Sequence, residues 1–114
     1  MRRDAGARVD VTDTMIANGW STPVMAPWLA DALTEAGNRI FGRPPLSIGM
    51  GGGIPFMELL GRLYPAAQFV VTGALDSKSN MHGPDESLHV PFAIQVTQAV
   101  AALLDRHATA AQDS

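Results

Sequence analysis

The spacing of apolar positions changes along this chain, and each change marks an element. Residues 8 to 13 (Arg8-Val9-Asp10-Val11-Thr12-Asp13) alternate apolar and polar. That period of two puts Val9 and Val11 on one face and predicts a short, half-buried edge strand. Asn18-Gly19-Trp20-Ser21-Thr22-Pro23 reads as a turn, with Ser21 or Thr22 a candidate helix cap. From about Val24 to Phe41 the apolar residues Trp28, Leu29, Ala32, Leu33, Ala36 and Ile40 fall in steps of three and four. The segment is therefore an amphipathic helix with Asp31 and Glu35 on its polar side. Gly42 stops it, because glycine takes the left-handed cap conformation cheaply, and Pro44-Pro45 forbids continuation.

Leu46 to Met50 predicts a short strand, followed at once by Gly51-Gly52-Gly53. A second helix starts at Ile54-Pro55, where proline suits the first turn, and runs to about Tyr64 with an apolar stripe of Phe56, Leu59, Leu60 and Leu63. Gln68 to Leu75 is continuously apolar rather than alternating, the pattern of a strand covered on both faces. A polar loop, Asn80 to Pro91, separates it from a last helix that Pro91 opens and that carries Phe92, Ile94, Val96, Val100, Leu103 and Leu104. The predicted order is strand, helix, strand, helix, strand, helix, which is an α/β class with a partial helix-flanked sheet. Helical crossovers favour parallel pairing. Three strands leave two sheet edges open, a hint that the domain is incomplete or is completed by another chain.

Composition narrows the picture. A chain of 114 residues is one domain, able to bury roughly two-thirds of its unfolded surface. Hydrophobic content of 46% against 17% charge excludes disorder. The net charge of -3, with eight scattered Lys and Arg, argues against nucleic acid. There is no cysteine, hence no disulfide, no thiolate zinc site and no cysteine nucleophile, and any metal must be held by histidine and carboxylate. The charged N-terminus leads into no apolar stretch, so no signal peptide is expected, and no apolar run approaches a membrane span. The expectation is a soluble, cytoplasmic chain.

The candidate chemistry sits in two stretches. Gly51-Gly52-Gly53-Ile54-Pro55 suits either a tight turn or a close backbone approach to an anion such as a carboxylate at the helix start. It lacks the lysine and hydroxyl residue of a phosphate-binding loop. His82-Gly83-Pro84-Asp85-Glu86 places an imidazole on a turn beside two carboxylates. That suits a zinc ligand with a supporting carboxylate, or a solvated surface loop. His89, near a helix start, reads as structural, and His107 as solvated or facing the helix dipole. Asp76-Ser77-Lys78-Ser79-Asn80 either places polar groups at the same strand end or is a solvated connection, the reading preferred for Lys78, and Trp20 and Trp28 read as packing residues.

Taken together, the glycine turn, the Gln68-to-Gly73 run and the His82 loop resemble the C-terminal end of the dinuclear zinc hydrolases that include carboxypeptidase G, aminoacylase, carnosinase and succinyl-diaminopimelate desuccinylase. Those enzymes carry a Gly-Gly-Ser/Thr-Ile-Pro turn and, after a strand, a His-x-Pro-Asn-Glu loop. The resemblance covers roughly residues 18 to 105. It implies a catalytic-domain segment over residues 18 to 107, preceded by a tail (1 to 17) holding the last strand of an absent lid domain and followed by a polar tail (108 to 114). It further implies His82 as a metal ligand, Gly51, Gly52 and Gly53 as the turn facing the substrate's carboxylate, and Asp85 and Glu86 in supporting roles beside the ligand. Two zinc ions per complete site and a peptide or N-acyl amino acid substrate are implied by the same resemblance, as in a dipeptidase or deacylase.

Gly53 stands where the family has serine or threonine, and Asp85 where it has asparagine, which bears on substrate choice. The family's His-x-Asp motif and Glu-Glu pair do not occur in this sequence. The expectation is thus a fragment, from a truncated or split gene, that holds one ligand of an incomplete site and no catalytic residue of its own. Its partners would be an N-terminal half or further copies of itself. The alternative is a non-catalytic sheet-pairing partner or binding module that contributes His82 or the glycine turn in trans, and a third reading is a small α/β domain whose likeness is only structural.

Overall fold

The computed structural model describes residues 6, 10, 19–49 and 54–110. Within them the chain forms three α-helices: α1 (Pro27–Ala36), prolonged by a single π-helical turn (Gly37–Phe41), α2 (Pro55–Leu63) and α3 (Val90–Ala110). Helix α1 begins five residues beyond Thr22, whose hydroxyl donates instead to the Pro23 carbonyl (3.3 Å). Pro27 sets the start. It holds the residue before it out of the helical region, so Ala26 is extended at φ -65°, ψ 144°. No side chain of the first turn caps Ala26; its N–H donates to Gln68 Oε1 at 2.7 Å, forty-two residues away.

The C-terminal stop of this helix falls where glycine and proline place it. Gly42 adopts φ 72°, and its N–H closes onto the Asn38 carbonyl (3.1 Å). The chain then doubles back over Gly37 so tightly that a Cβ there would lie 2.8 Å from the Arg43 carbonyl oxygen and 2.9 Å from Pro45 Cδ.

Helices α1 and α3 form the core. Leu29, Ala32 and Leu103 are buried together, flanked by Trp28 and Leu33. The small side chains of Ala32 and Ala36 let the helices approach closely. At one end Phe41 meets Phe92 edge-on (5.7 Å), and Gln95 Nε2 donates to the Ile40 carbonyl (3.0 Å). At the other end Trp28 meets His107 (5.3 Å), so the two helices run antiparallel. Trp20 ties α2 to the run after it: it packs edge-on against Phe69 (5.0 Å) and lies against Gly61, where a Cβ would come within 2.6 Å of the indole nitrogen.

The predicted sheet is not there. Among the described residues no strand forms, and the α/β reading gives way to a helical one. Gln68 to Leu75 makes no backbone ladder, and Val71 is 63% exposed. In Leu46 to Met50, residues 46 to 49 are likewise unpaired, with Leu46 92% exposed, while Met50 lies outside the described residues. A strand is defined by a neighbour that takes its N–H and C=O groups. An apolar, β-branched run supplies the propensity for that pairing but not the partner. Of the predicted edge strand, Val9 and Val11 lie outside the described residues, and Asp10 between them is in no strand. No helix among the described residues is long and apolar enough to cross a membrane.

Candidate functional site

The loop between the unpaired run and α3 is built almost wholly from its own hydrogen bonds. Asp76 starts it. Its carboxylate Oδ1 accepts from the Lys78 backbone N–H (2.8 Å) and from the Ser79 hydroxyl (3.0 Å), while the same Ser79 oxygen accepts from the Asp76 N–H (3.0 Å). The Lys78 N–H, then the Ser79 hydroxyl, hold the Asp76 carboxyl below its ordinary pKa, and His89 adds a smaller pull in the same direction. Ser79 is the most buried polar residue described, at 1% exposure. Its carbonyl accepts the Ser87 N–H (2.9 Å), so the two ends of the loop are clamped together at one serine.

Inside that clamp lies a tight turn. Gly83 N–H donates to the Asn80 carbonyl (2.9 Å), and Asn80 Nδ2 donates to the Pro84 carbonyl (2.5 Å). Asn80 (φ 51°), His82 (φ 60°) and Asp85 (φ 57°) are left-handed, and they are the only non-glycine residues so placed among those described. L-residues visit this region at a cost of about 1–2 kcal/mol each, with Asn and Asp the most tolerant. Three in six positions need the surrounding bonds to hold them there.

The structure treats the sequence-predicted site residues differently. His82 is exposed, and its backbone N–H donates to Glu86 Oε2 at 3.3 Å. The Glu86 carboxylate therefore fixes the His82 backbone across the turn. Asp85 is exposed beside them on its left-handed corner. His89 is a helix cap: its Nδ1 accepts the Phe92 N–H (3.1 Å) and its carbonyl the Ala93 N–H (3.0 Å), which starts α3. Gly51, Gly52 and Gly53 lie outside the described residues. Immediately after them α2 begins, and there the Met57 N–H closes onto the Ile54 carbonyl (3.0 Å). Among the described residues no three of His, Asp or Glu gather into a group able to hold a metal ion.

The stretch from Asp76 to Asn80, a solvated connection by its composition, is in fact the clamp. A local signal for it exists. An Asp followed three residues later by Ser, and an Asn four residues before a Gly-Pro carbonyl, are spacings at which short polar side chains bond back to the main chain. A second concave feature lies elsewhere: an apolar groove of about 510 Å³ between α1, α3 and the unpaired run, lined by Trp28, Leu29, Val70, Thr72, Leu104 and His107.

No protein-family profile matches the chain. Over 87 aligned positions, 73% of this chain, the sequence is 33% identical to a cysteinylglycine-S-conjugate dipeptidase of Corynebacterium striatum. The chain spans 18% of that protein's length. It is thus similar to a limited part of a peptidase.

Proposed function

We propose that this chain is the His82-bearing segment of a dipeptidase-like zinc hydrolase. The likeness to a dipeptidase over most of the chain carries the reading. The form of the loop supports it: an imidazole serves as a ligand best when its backbone is fixed beforehand and its ring is left accessible. In this reading His82 supplies one metal ligand, Glu86 holds the backbone from which the ring projects, and Asp85 adds negative charge beside it. Gly51 to Gly53 present backbone amides to the carboxylate of a dipeptide or N-acyl amino acid. The name of the relative suggests cysteinylglycine S-conjugates as the first substrates to try.

Zinc needs three or four protein ligands, and among the described residues no three possible ligands gather around His82 or elsewhere. The described residues do not by themselves fit the ion, and no hydrolytic step is assigned to them alone. A second reading, in which the segment is a non-catalytic partner that contributes its loop in trans, draws on the exposed apolar face of α2 (Phe56, Leu59, Leu63).

One experiment separates the two. A cysteinylglycine S-conjugate is offered to the chain alone, to the remaining part of the Corynebacterium dipeptidase alone, and to their mixture with zinc. Glycine release only in the mixture, and its loss with His82→Ala, is the expected result. Association of the two parts without hydrolysis favours the second reading. Hydrolysis by the chain alone, or activity in the mixture that is indifferent to His82→Ala, refutes the assignment of His82.

A further inference from the structure

We propose that Asn80 is the positioning residue for His82. The inference rests on the reading of His82 as a ligand, but the geometry behind it is independent of any metal. His82 sits at φ 60° with no glycine's freedom to make that conformation cheap. One contact reaches it directly, and a second residue encloses it. Glu86 takes its N–H at 3.3 Å, a long and weak bond from an exposed carboxylate. Asn80 does more: its Nδ2 grips the Pro84 carbonyl at 2.5 Å, and its own carbonyl accepts the Gly83 N–H. Residues 81 to 83 are thereby closed into a ring with His82 at its crown.

The side chain of Asn80 occupies the space next to Gly83. A Cβ on Gly83 would lie 2.6 Å from Nδ2, 2.7 Å from Oδ1 and 2.8 Å from Cγ of Asn80. A side chain at position 83 would therefore have to displace the amide end of Asn80, although no left-handed angle is required there. Asparagine also suits position 80 itself, where φ is 51°, since it tolerates the left-handed region better than most residues. The outer clamp of Asp76, Ser79 and Ser87 closes the base of the loop through other bonds, so the loop can stay closed while its crown is released.

The test is made by NMR on the isotopically labelled chain without metal. A left-handed residue brings its amide and α protons close together, so His82 should give a strong intraresidue amide–α-proton cross-peak. Asn80→Ala, and Asn80→Asp (which keeps the shape but loses the N–H that reaches Pro84), should reduce that cross-peak to the level of an ordinary residue. Protection of the Ser87 amide and the Trp28–His107 ring contact should persist in both. Gly83→Ala should abolish the His82 signature in the wild-type background and add nothing in an Asn80→Gly background.

A His82 cross-peak unchanged in both Asn80 variants overturns the proposal. So does loss of Ser87 protection together with the His82 signature, which would make Asn80 a general support of the loop. A His82 signature present in the wild type and lost in both Asn80 variants, together with no zinc binding in any mixture, would sink the ligand reading while leaving the role of Asn80 intact.

Discussion

Helices α1 and α2 both carry apolar stripes, the sharper one on α2, and the fold treats them in opposite ways. The stripe of α1 is covered: Leu29 is 2% exposed in the seam with α3. Among the residues of α2 whose burial is described, only Met57 is buried, while Phe56 and Leu63 are 58% and 59% exposed. The same sequence period thus yields a core in one helix and a bare face in the other. Periodicity states which residues share a side; whether that side is buried depends on a partner far away in sequence. For α1 the partner is α3, brought back by the loop. For α2 no comparable cover is present among the described residues beyond Trp20 at Gly61.

The contrast can be broken most forcefully at Leu29. Leu29→Ala should cost about 2–5 kcal/mol of stability, because it opens a cavity in the α1–α3 seam. Leu63→Ala should stay within about 0.5 kcal/mol, as expected of an exposed position. Urea unfolding of the two variants side by side measures this. A cost at Leu63 approaching that at Leu29 would mean that the α2 stripe is covered in solution.

Gly37→Ala should cost about 1–3 kcal/mol, since the added methyl meets the Arg43 carbonyl and the Pro45 ring rather than a side chain that can move aside. Its midpoint shift should fall between those of the two leucine variants. A neutral effect would show that the chain returns over the π-turn loosely enough to admit a methyl group.

The loop from Asp76 to Ser87 adds a third term, since its order owes nothing to apolar cover. Asp76 has a pKa below its ordinary value in the folded chain. Its contribution is therefore complete above the ordinary carboxylate value and is lost as pH falls through the depressed one. Tracking the Lys78 and Ser79 amide signals through an acid titration should show a transition below the ordinary aspartate range. That transition should be absent in Asp76→Asn. This is the smallest of the three effects, because the carboxylate is exposed to solvent.

How much of the fold is legible in the sequence depends on the range of the interactions. The end of the first helical segment at Gly42, the start of α2 at Pro55 and the start of α3 beside Pro91 are legible because caps and prolines act within a few residues. The start of α1 is not at Ser21 or Thr22, where local pattern puts it. Its true support is Gln68, from which no local pattern leads to Ala26. The strands at Leu46 and Gln68 fail for the same reason, as β propensity is local and pairing is not. At the candidate site the His82 turn is marked by Gly83-Pro84. Asn80 is marked only by its spacing from that pair, and its place beside Gly83 is seen in the structure alone.

The central proposal is that this chain presents His82 as one ligand on a preorganised loop, with no complete metal site among the described residues. The most direct test is zinc titration by calorimetry, on the wild-type chain and on His82→Ala, alone and with the remaining part of the dipeptidase. The account predicts no tight binding to either chain alone, and binding in the wild-type mixture that His82→Ala weakens. Tight one-to-one binding by the isolated wild-type chain, lost in His82→Ala, would contradict it by showing a complete site within these 114 residues.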